Sequence, residues 1–547
     1  MSSWHPSSAL LVTGFVAFVV VLSWNWWRPV RPLGHGIVLT LVGAVALLNA
    51  SLYRARADDA FITYRYARNL AEGNGPVFNV HERVEGYSNF LWMCVLAAWH
   101  AVLGVNVEDV ARVLGVVAAL AAVFATYWLA LVLTDGARTV SAAAALLLAS
   151  AGPFAAYSLS GLETPLFALL VVVLTVLVIQ ERVVAAGVVA ALATMTRPDG
   201  LVFVAVAIVW LLERAVAREI RARQVLWFLG SFGALFIPWT VWRVAYYGYL
   251  VPNALAAKTG GLSVVDQLRA GLDYMNSVFL EGWPLLVVAA AVVGVALLFG
   301  ARFRFSTGER LIVLEIVAFV AFLIVAGGDW MPASRLFVPA IPLVVALLGS
   351  VWYRATSTLA ADRSARTFGV LACLASLLLL AASFSFFNEL PRIRLWRSQV
   401  EALATQGDWF DATLPAHTSI ATYANGALSD HAGVDKNVID MLGLTDEHIA
   451  RDGRRLHSRS VPIGHRAYDY RYVVSRRPEI VIFSPTGFAG GPSCAVRAPF
   501  AGDYVGTSFR FAPGNSTGRY VNLFVRSDRA AALVKRLSRP RGVTRVC

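Results

Sequence analysis

The sequence predicts an all-α polytopic membrane bundle of about twelve transmembrane helices, followed by a soluble α/β domain. Three observations carry that reading. Apolar residues make up 58% of the 547-residue chain and charged residues only 15%, where soluble domains run near half and a quarter. The mean hydropathy is +0.63. The composition then changes at about residue 386: before it, apolar runs of bilayer-crossing length alternate with short charged loops, and after it residues 386–547 have the make-up of an ordinary soluble domain.

Taken in order, the expected spans are 9–26, 35–53, 113–133, 139–156, 164–180, 183–197, 200–213, 226–245, 284–300, 310–327, 336–352 and 367–385. Arginine-rich turns orient them. Arg28 and Arg31, then Arg214, Arg218, Arg221 and Arg223, then Arg302, Arg304 and Arg310, and finally Arg354, Arg363 and Arg366 mark cytoplasmic loops. Counting spans between these markers places a long loop, 54–112, outside. Segment 89–104, with Trp92 and Trp99, then has to lie along the interface without crossing. A competing count makes 183–213 one broken span. The tail 386–547 follows the last span outward. Within it, Glu479–Phe483 and Tyr520–Val525 alternate as strands, and 396–406 and 528–537 read as helices. No internal repeat is visible, which counts against inverted-repeat transporters.

A net charge of +13 suggests nucleic acid at first sight. Much of the arginine lies in short loops between spans, where it orients helices and faces lipid headgroups, so no nucleic-acid partner is expected. The leading apolar run lacks a basic start and a small-residue cleavage site, and reads as a retained span. Of four cysteines, Cys94 and Cys373 lie in apolar segments as packing residues. Cys494 and Cys547 fall in the tail domain, in an oxidising space, and are expected to form a disulfide. The metal question stays open: no spacing supplies a full ligand set, and a divalent cation held by paired carboxylates is the alternative to none.

Polar islands at the outer ends of the spans hold the candidate chemistry. Asp58-Asp59-Ala60 opens an amphipathic helix directly after a span. Acids placed there are costly and indicate function, although two acids at a helix start also favour its dipole. The loop continues through His81-Glu82-Arg83-Val84-Glu85-Gly86-Tyr87, where charges, amides and aromatic faces supply what a carbohydrate needs. Solvated ion pairs are the bland reading of His81, Glu82 and Arg83. Further islands are Ser160-Gly161-Leu162-Glu163-Thr164, Thr196-Arg197-Pro198-Asp199-Gly200, Val251-Pro252-Asn253 with Lys258, and Gly327-Gly328-Asp329-Trp330 through Arg335. Any one alone is a turn with a snorkelling cation. Their recurrence on one side favours a site.

Several of these stretches together resemble a known family. Asp58-Asp59-Ala60-Phe61-Ile62-Thr63-Tyr64-Arg65-Tyr66-Ala67-Arg68-Asn69-Leu70, Val84-Glu85-Gly86-Tyr87, Gly161-Leu162-Glu163-Thr164-Pro165, Arg197-Pro198-Asp199-Gly200, Gly327-Gly328-Asp329-Trp330-Met331-Pro332 and Ile439-Asp440-Met441-Leu442-Gly443-Leu444-Thr445-Asp446 are similar to the actinobacterial terminal arabinofuranosyltransferases of the GT-C superfamily. The resemblance runs from about residue 50 to 470. It implies a GT-C transmembrane catalytic domain over 1–385 with its catalytic outer loop at 54–112, and an extracytoplasmic C-terminal domain over 386–547. It also implies a multi-pass plasma-membrane enzyme that moves arabinofuranose from decaprenyl-phospho-arabinose to a growing cell-wall arabinan.

For such a transfer Asp58 is the expected general base, with Asp59 orienting it or the acceptor. Lys258, Arg197 and Arg335 are expected to support the leaving phosphate. Glu163, Asp329, Glu85, Tyr87, His81, Asn253 and Trp330 are the expected sugar or acceptor contacts. A transferase using another polyprenyl-phospho-sugar is the nearest alternative. A transporter would place ionisable residues near mid-span, and a non-enzymatic membrane scaffold gives no reason for acids at the interface.

Overall fold

The computed structural model describes residues 32–279, 305–357, 390–458, 461–462, 464–483, 487–512 and 519–547. The expected spans 9–26, 284–300 and 367–385, together with Arg28, Arg31, Arg302, Arg304, Arg363, Arg366 and Cys373, lie outside the described residues. The chain divides into two compact units. One gathers 1–55, 112–239 and 265–393; the other gathers 56–111, 240–264 and 394–547. The outer loop therefore shares a unit with the tail domain.

The first unit is helical. Its segments include Pro32–Tyr53, Arg138–Ser150, Gly152–Ser158, Thr164–Ile179, Val183–Thr196, Gly200–Val216, Thr307–Ala326 and Ile341–Ser357. They are apolar on nearly every face, and they meet around Phe167, Phe203, Leu311, Phe319 and Leu343, none of which has exposed surface. Phe203 packs between Phe167, edge-on, and Phe319, tilted, with ring centroids 6.1 and 5.0 Å away. Among the described residues four helices are long and apolar enough to cross a membrane: His35–Tyr53, Val107–Leu133, Ala222–Tyr247 and Arg335–Arg354. A fifth arises if Arg138–Ser150 and Gly152–Ser158, bent by 65°, count as one broken span. The apolar helices Thr164–Ile179 and Val183–Thr196 have 16 and 14 residues, about 24 and 21 Å at 1.5 Å per residue. Each is shorter than the ~30 Å hydrocarbon layer.

One boundary differs from expectation. The helix expected over 113–133 begins at Val107. Glu108 and Asp109 in its first turn favour the helix dipole, so acids that suggested a loop start the helix instead. Glu108 is also held by Arg56 through bonds of 2.7 and 2.6 Å.

The second unit is α/β. Its strands are β1 Ser419–Thr422, β2 Asn437–Asp440, β3 Arg454–Arg455, β4 Ala467–Tyr468, β5 Ile480–Ile482, β6 Tyr504–Phe511, β7 Arg519–Arg526 and β8 Val543–Arg545; β3 and β4 pair with each other, and the other six form one sheet in the order β2-β1-β5-β7-β6-β8. β1 pairs in parallel with β2 and β5, and the remaining pairings are antiparallel. The parallel strands are apolar along their length because both faces are covered: Ile420, Ala421, Ile480, Val481 and Ile482 have no exposed surface. Helices run over Leu390–Thr413 and Ala530–Leu537. Trp409 seats edge-on against Phe509 and Phe511, 5.2 and 5.1 Å away. Cys494 and Cys547 form a disulfide with Cα atoms 6.4 Å apart. The outer-loop helices Asp58–Ala71 and Phe90–Leu103 pack on each other in the same unit.

Candidate functional site

In the second unit the helix Asp58–Ala71 buries Phe61, Ile62, Tyr64, Arg65, Tyr66 and Asn69. Asp58 and Asp59 stand in its first turn, where acids suit the helix dipole, and no side chain caps Ala57 before them. Asp58 Oδ1 accepts the backbone N–H of Ala427 at 2.8 Å. A Cβ on Gly426 would lie 2.1 Å from the Asp58 carbonyl oxygen and 2.6 Å from Oδ1, so only glycine permits the approach. Burial pushes the Asp58 carboxyl up to about 6 and the charge of Asp59 adds to this, while the amides of Ala427 and Gly426 and the charge of Arg56 oppose it. Oδ2 of Asp58 and the whole Asp59 carboxylate have no hydrogen-bond or ion-pair partner among the described residues.

Arg65 holds the other side of this arrangement. It has no exposed surface, lies over Phe78 at 4.9 Å, and donates to four carbonyls. These are Phe78 at 2.8 Å, Ser429 at 2.6 Å, Gly433 at 2.7 Å and Lys436 at 2.6 Å. Next to it, Arg68 pairs with the buried Asp430 at 3.1 Å. The segment 429–436 is thereby fixed to the same helix that carries Asp58. Its sequence signal is a cation within an otherwise apolar helix face, between Phe61-Ile62 and Tyr66-Asn69.

The motif 439–446 is a bed for the outer loop. Asp440 Oδ1 accepts Leu442 N–H at 2.9 Å and Oδ2 accepts Thr445 N–H at 2.8 Å, folding a tight turn; burial raises this carboxyl to about 6. A Cβ on Gly86 would meet Thr445 Cγ2 at 2.5 Å and Leu444 O at 3.0 Å, so the loop lies directly on the turn. Asn253 donates to the carbonyls of Gly443, Leu444 and Asp446 at 2.9, 3.1 and 3.2 Å. Glu85 pairs with Arg243 at 2.9 Å, both buried; burial lifts the Glu85 carboxyl to about 7 against the pull of Arg243. Arg243, a cation near the end of an apolar helix, is a partner the sequence flags only as an expensive charge. A shallow cleft is lined by Arg83, Glu85, Tyr249, Asn253, Glu447 and Arg451.

Three further expected sugar contacts lie in this unit, each with surroundings of its own. The Tyr87 hydroxyl faces that of Tyr247 at 3.0 Å, within a buried aromatic cluster with Tyr66. Asn253 is committed by its amide to the 443–446 turn. His81 is exposed at a turn with φ 74°. Lys258 is half-buried, with its methylenes about 3.5 Å from where a Gly464 Cβ would stand, and no carboxylate pairs with it among the described residues.

In the first unit, residues expected to act separately are paired. Arg197 donates to Asp199 through Nε at 2.9 Å and Nη2 at 3.0 Å, and to Glu163 through Nη1 at 3.2 Å. All three are buried. Arg197, expected at the leaving phosphate, and Glu163, expected at the sugar, are thus joined in one buried ion-pair cluster with Asp199. Arg335 Nε donates to Asp329 Oδ2 at 2.7 Å, and Asp329 Oδ1 accepts Trp330 N–H at 2.8 Å. Asp329 and Trp330 thus close a turn that presents Arg335. Among the described residues no group of three or more His, Cys, Asp or Glu could hold a metal ion.

Comparison with known proteins adds three findings. Residues 392–524 match the family model described as "Domain of unknown function (DUF8728)". The terminal beta-(1->2)-arabinofuranosyltransferase of Corynebacterium glutamicum is 26% identical over 343 residues, 53% of this chain and 47% of the relative. Its namesake from Mycobacterium tuberculosis is 29% identical over 239 residues, 40% of this chain and 37% of the relative. The match therefore spans less than half the length of either curated relative. The crystal structure of ArnT from Cupriavidus metallidurans bound to undecaprenyl phosphate superposes with a TM-score of 0.51 at 12% identity, covering 88% of this chain and 97% of ArnT. Its apo form gives 0.55 at 12% identity, covering 89% and 97%. The chain shares the fold of ArnT, and in sequence it resembles the terminal beta-(1->2)-arabinofuranosyltransferases.

Proposed function

We propose that this protein is a multi-pass membrane glycosyltransferase that moves arabinofuranose from a polyprenyl-phosphate donor, decaprenyl-phospho-arabinose, to a cell-wall arabinan. The reading places about twelve spans in the membrane, with the loop 54–112 and the domain 386–547 on the outer face. One observation carries it: a half-buried carboxylate, Asp58, has one oxygen held by a backbone N–H and the other free, and its basicity is raised toward neutrality. A carboxylate so held suits the removal of a proton from a sugar hydroxyl. The names of the relatives and the undecaprenyl phosphate bound to ArnT support the sugar and the lipid donor.

In the proposed step an acceptor hydroxyl oxygen bonds to the anomeric carbon as the bond from that carbon to the phosphate oxygen breaks. The hydroxyl proton passes to Asp58 Oδ2, and the polyprenyl phosphate leaves with the bonding electrons. Asp59 orients Asp58 or the acceptor. Lys258, a cation with no carboxylate partner among the described residues, is assigned to the leaving phosphate. Glu85 and Asn253 face the shallow cleft in the second unit and remain assigned to the acceptor. No cofactor is assigned.

The test uses purified full-length protein in lipid vesicles with synthetic decaprenyl-phospho-arabinose and an oligoarabinofuranoside acceptor. Growth of the acceptor by one pentose, lost in Asp58→Asn, is the expected result. Transfer from a different polyprenyl-phospho-sugar alone would reassign the donor, and no transfer from any would refute the enzyme.

A further inference from the structure

We propose that the backbone amides of Gly426 and Ala427, contributed by the tail segment, are the positioning element of the Asp58 base. They fix which carboxylate oxygen faces the acceptor and hold the carboxylate ready for its proton. The inference rests on the reading of Asp58 as the general base and extends it to residues nothing else assigns.

The geometry is specific. Ala427 N–H reaches Asp58 Oδ1 at 2.8 Å and Gly426 lies against the same oxygen, so among the described residues no protein group is hydrogen-bonded to Oδ2. Gly426 passes so close that a methyl group there would stand 2.5 Å from Asp58 Cγ. Both amides lower the affinity of Asp58 for its proton, opposing the burial that raises it. The cradle is braced from behind. Asn425 donates to Thr445 Oγ1 at 2.6 Å and accepts from Ser429 Oγ at 3.1 Å. Arg65 ties down the carbonyls of Ser429, Gly433 and Lys436. A chain this heavily bonded cannot follow a wandering carboxylate, so the carboxylate takes its position from the chain.

Other charges near Asp58 are Asp59 and Arg56 on its own segment. On the helix that follows the cradle, Asp430 is engaged by Arg68 and His431 by Asp408. The two amides are therefore the groups whose removal isolates the effect.

Two variants of the full chain test this in the vesicle assay. The first is Gly426→Ala, whose methyl group displaces the carboxylate. The expected result is a fall in kcat of about a hundredfold with both KM values within about twofold of the parent. The second replaces Ala427 by its α-hydroxy acid through nonsense suppression, turning the amide N–H into an ester oxygen and changing no side chain. Asp58 stays buried and loses a donor, so the acid limb of the kcat profile is expected to move up by roughly one pH unit. If Gly426→Ala does not fold, the ester variant decides alone. An unmoved acid limb, or parental kcat in a folded Gly426→Ala protein, overturns the inference while the transferase reading stands. A parent protein with no transfer activity removes both.

Discussion

Asp58 Oδ1 accepts the backbone N–H of Ala427 at 2.8 Å across 369 residues of sequence. The contact makes a distinction between two substitutions at Asp58. Asn keeps a carbonyl oxygen that can accept the same N–H, and it loses the basicity. Asp58→Asn is expected to lower transfer by about 10²–10⁴ with its melting temperature near the parent's. Asp58→Ala is expected to lose activity and also stability, by roughly 1–3 kcal/mol, because the Ala427 N–H is left without an acceptor. Thermal unfolding and transfer rates on both variants check this.

The raised Asp58 carboxyl sets a pH dependence. With its value at about 6, the base form is lost as pH falls through 6, so kcat is expected to decline tenfold per unit below it. The effect on stability runs the other way. A carboxyl raised by folding contributes stability fully below the unfolded value, near 4, and that contribution is lost as pH rises through about 6. Rate and unfolding profiles measured from pH 4.5 to 8 are expected to show opposite slopes at this site.

The Glu85–Arg243 pair, at 2.9 Å with both residues buried, is expected to be costly to halve. Arg243→Met leaves a buried carboxylate without its cation and is expected to destabilise by about 3–5 kcal/mol at neutral pH. Because burial lifts Glu85 to about 7 even beside Arg243, the orphan takes up a proton more readily still, and the deficit is expected to shrink as pH falls through 7. Adding Glu85→Gln should recover most of the loss. Denaturant or thermal unfolding of the single and double variants measures it.

Lys258, free of carboxylates among the described residues, is expected to meet the donor. Lys258→Ala should raise the apparent KM for the lipid-linked donor about tenfold or more and leave the acceptor KM unchanged. An effect on the acceptor alone would move Lys258 to the other substrate.

Topology can be read by labelling. His81 and Asn106 are exposed and flank the 14-residue helix Phe90–Leu103, which at 1.5 Å per residue covers about 21 Å. Single cysteines at 81 and 106, in a Cys94→Ala background, are both expected to react with an impermeant thiol reagent from outside. Labelling at 81 with protection at 106 would mean that this helix crosses.

Local features of the fold were legible because they are written in local pattern. The apolar runs 164–180 and 183–197 became the helices Thr164–Ile179 and Val183–Thr196, bounded by the polar turns on either side. The alternation at 479–483 became a buried strand. What stayed hidden are pairings between distant residues. Nothing near Glu85 announces Arg243, 158 residues away, and nothing near Asp58 announces Gly426. Composition suggested separate duties for acids and cations, yet Glu163, Arg197 and Asp199 neutralise one another. Tyr87 and Asn253 show the same limit, since a side chain that could touch sugar could also close a core, and only the packing decides. The motif 439–446 was visible as a motif, whereas its work as a bed for Gly86 needed coordinates.

The distance in sequence between Asp58 and its cradle also has a consequence in time. The ribosome emits Asp58 early, and 369 further residues must follow before Ala427 exists. At about 5–20 residues per second, the outer-loop helix waits roughly 20–75 seconds in its compartment with Arg65 and Asp58 lacking their acceptor carbonyls and donor amide. A nascent chain stalled anywhere before residue 427 therefore carries an unseated carboxylate. Competence arrives only with the last quarter of translation, so on the proposed reading a product terminated before residue 427 would be inert toward a lipid-linked sugar.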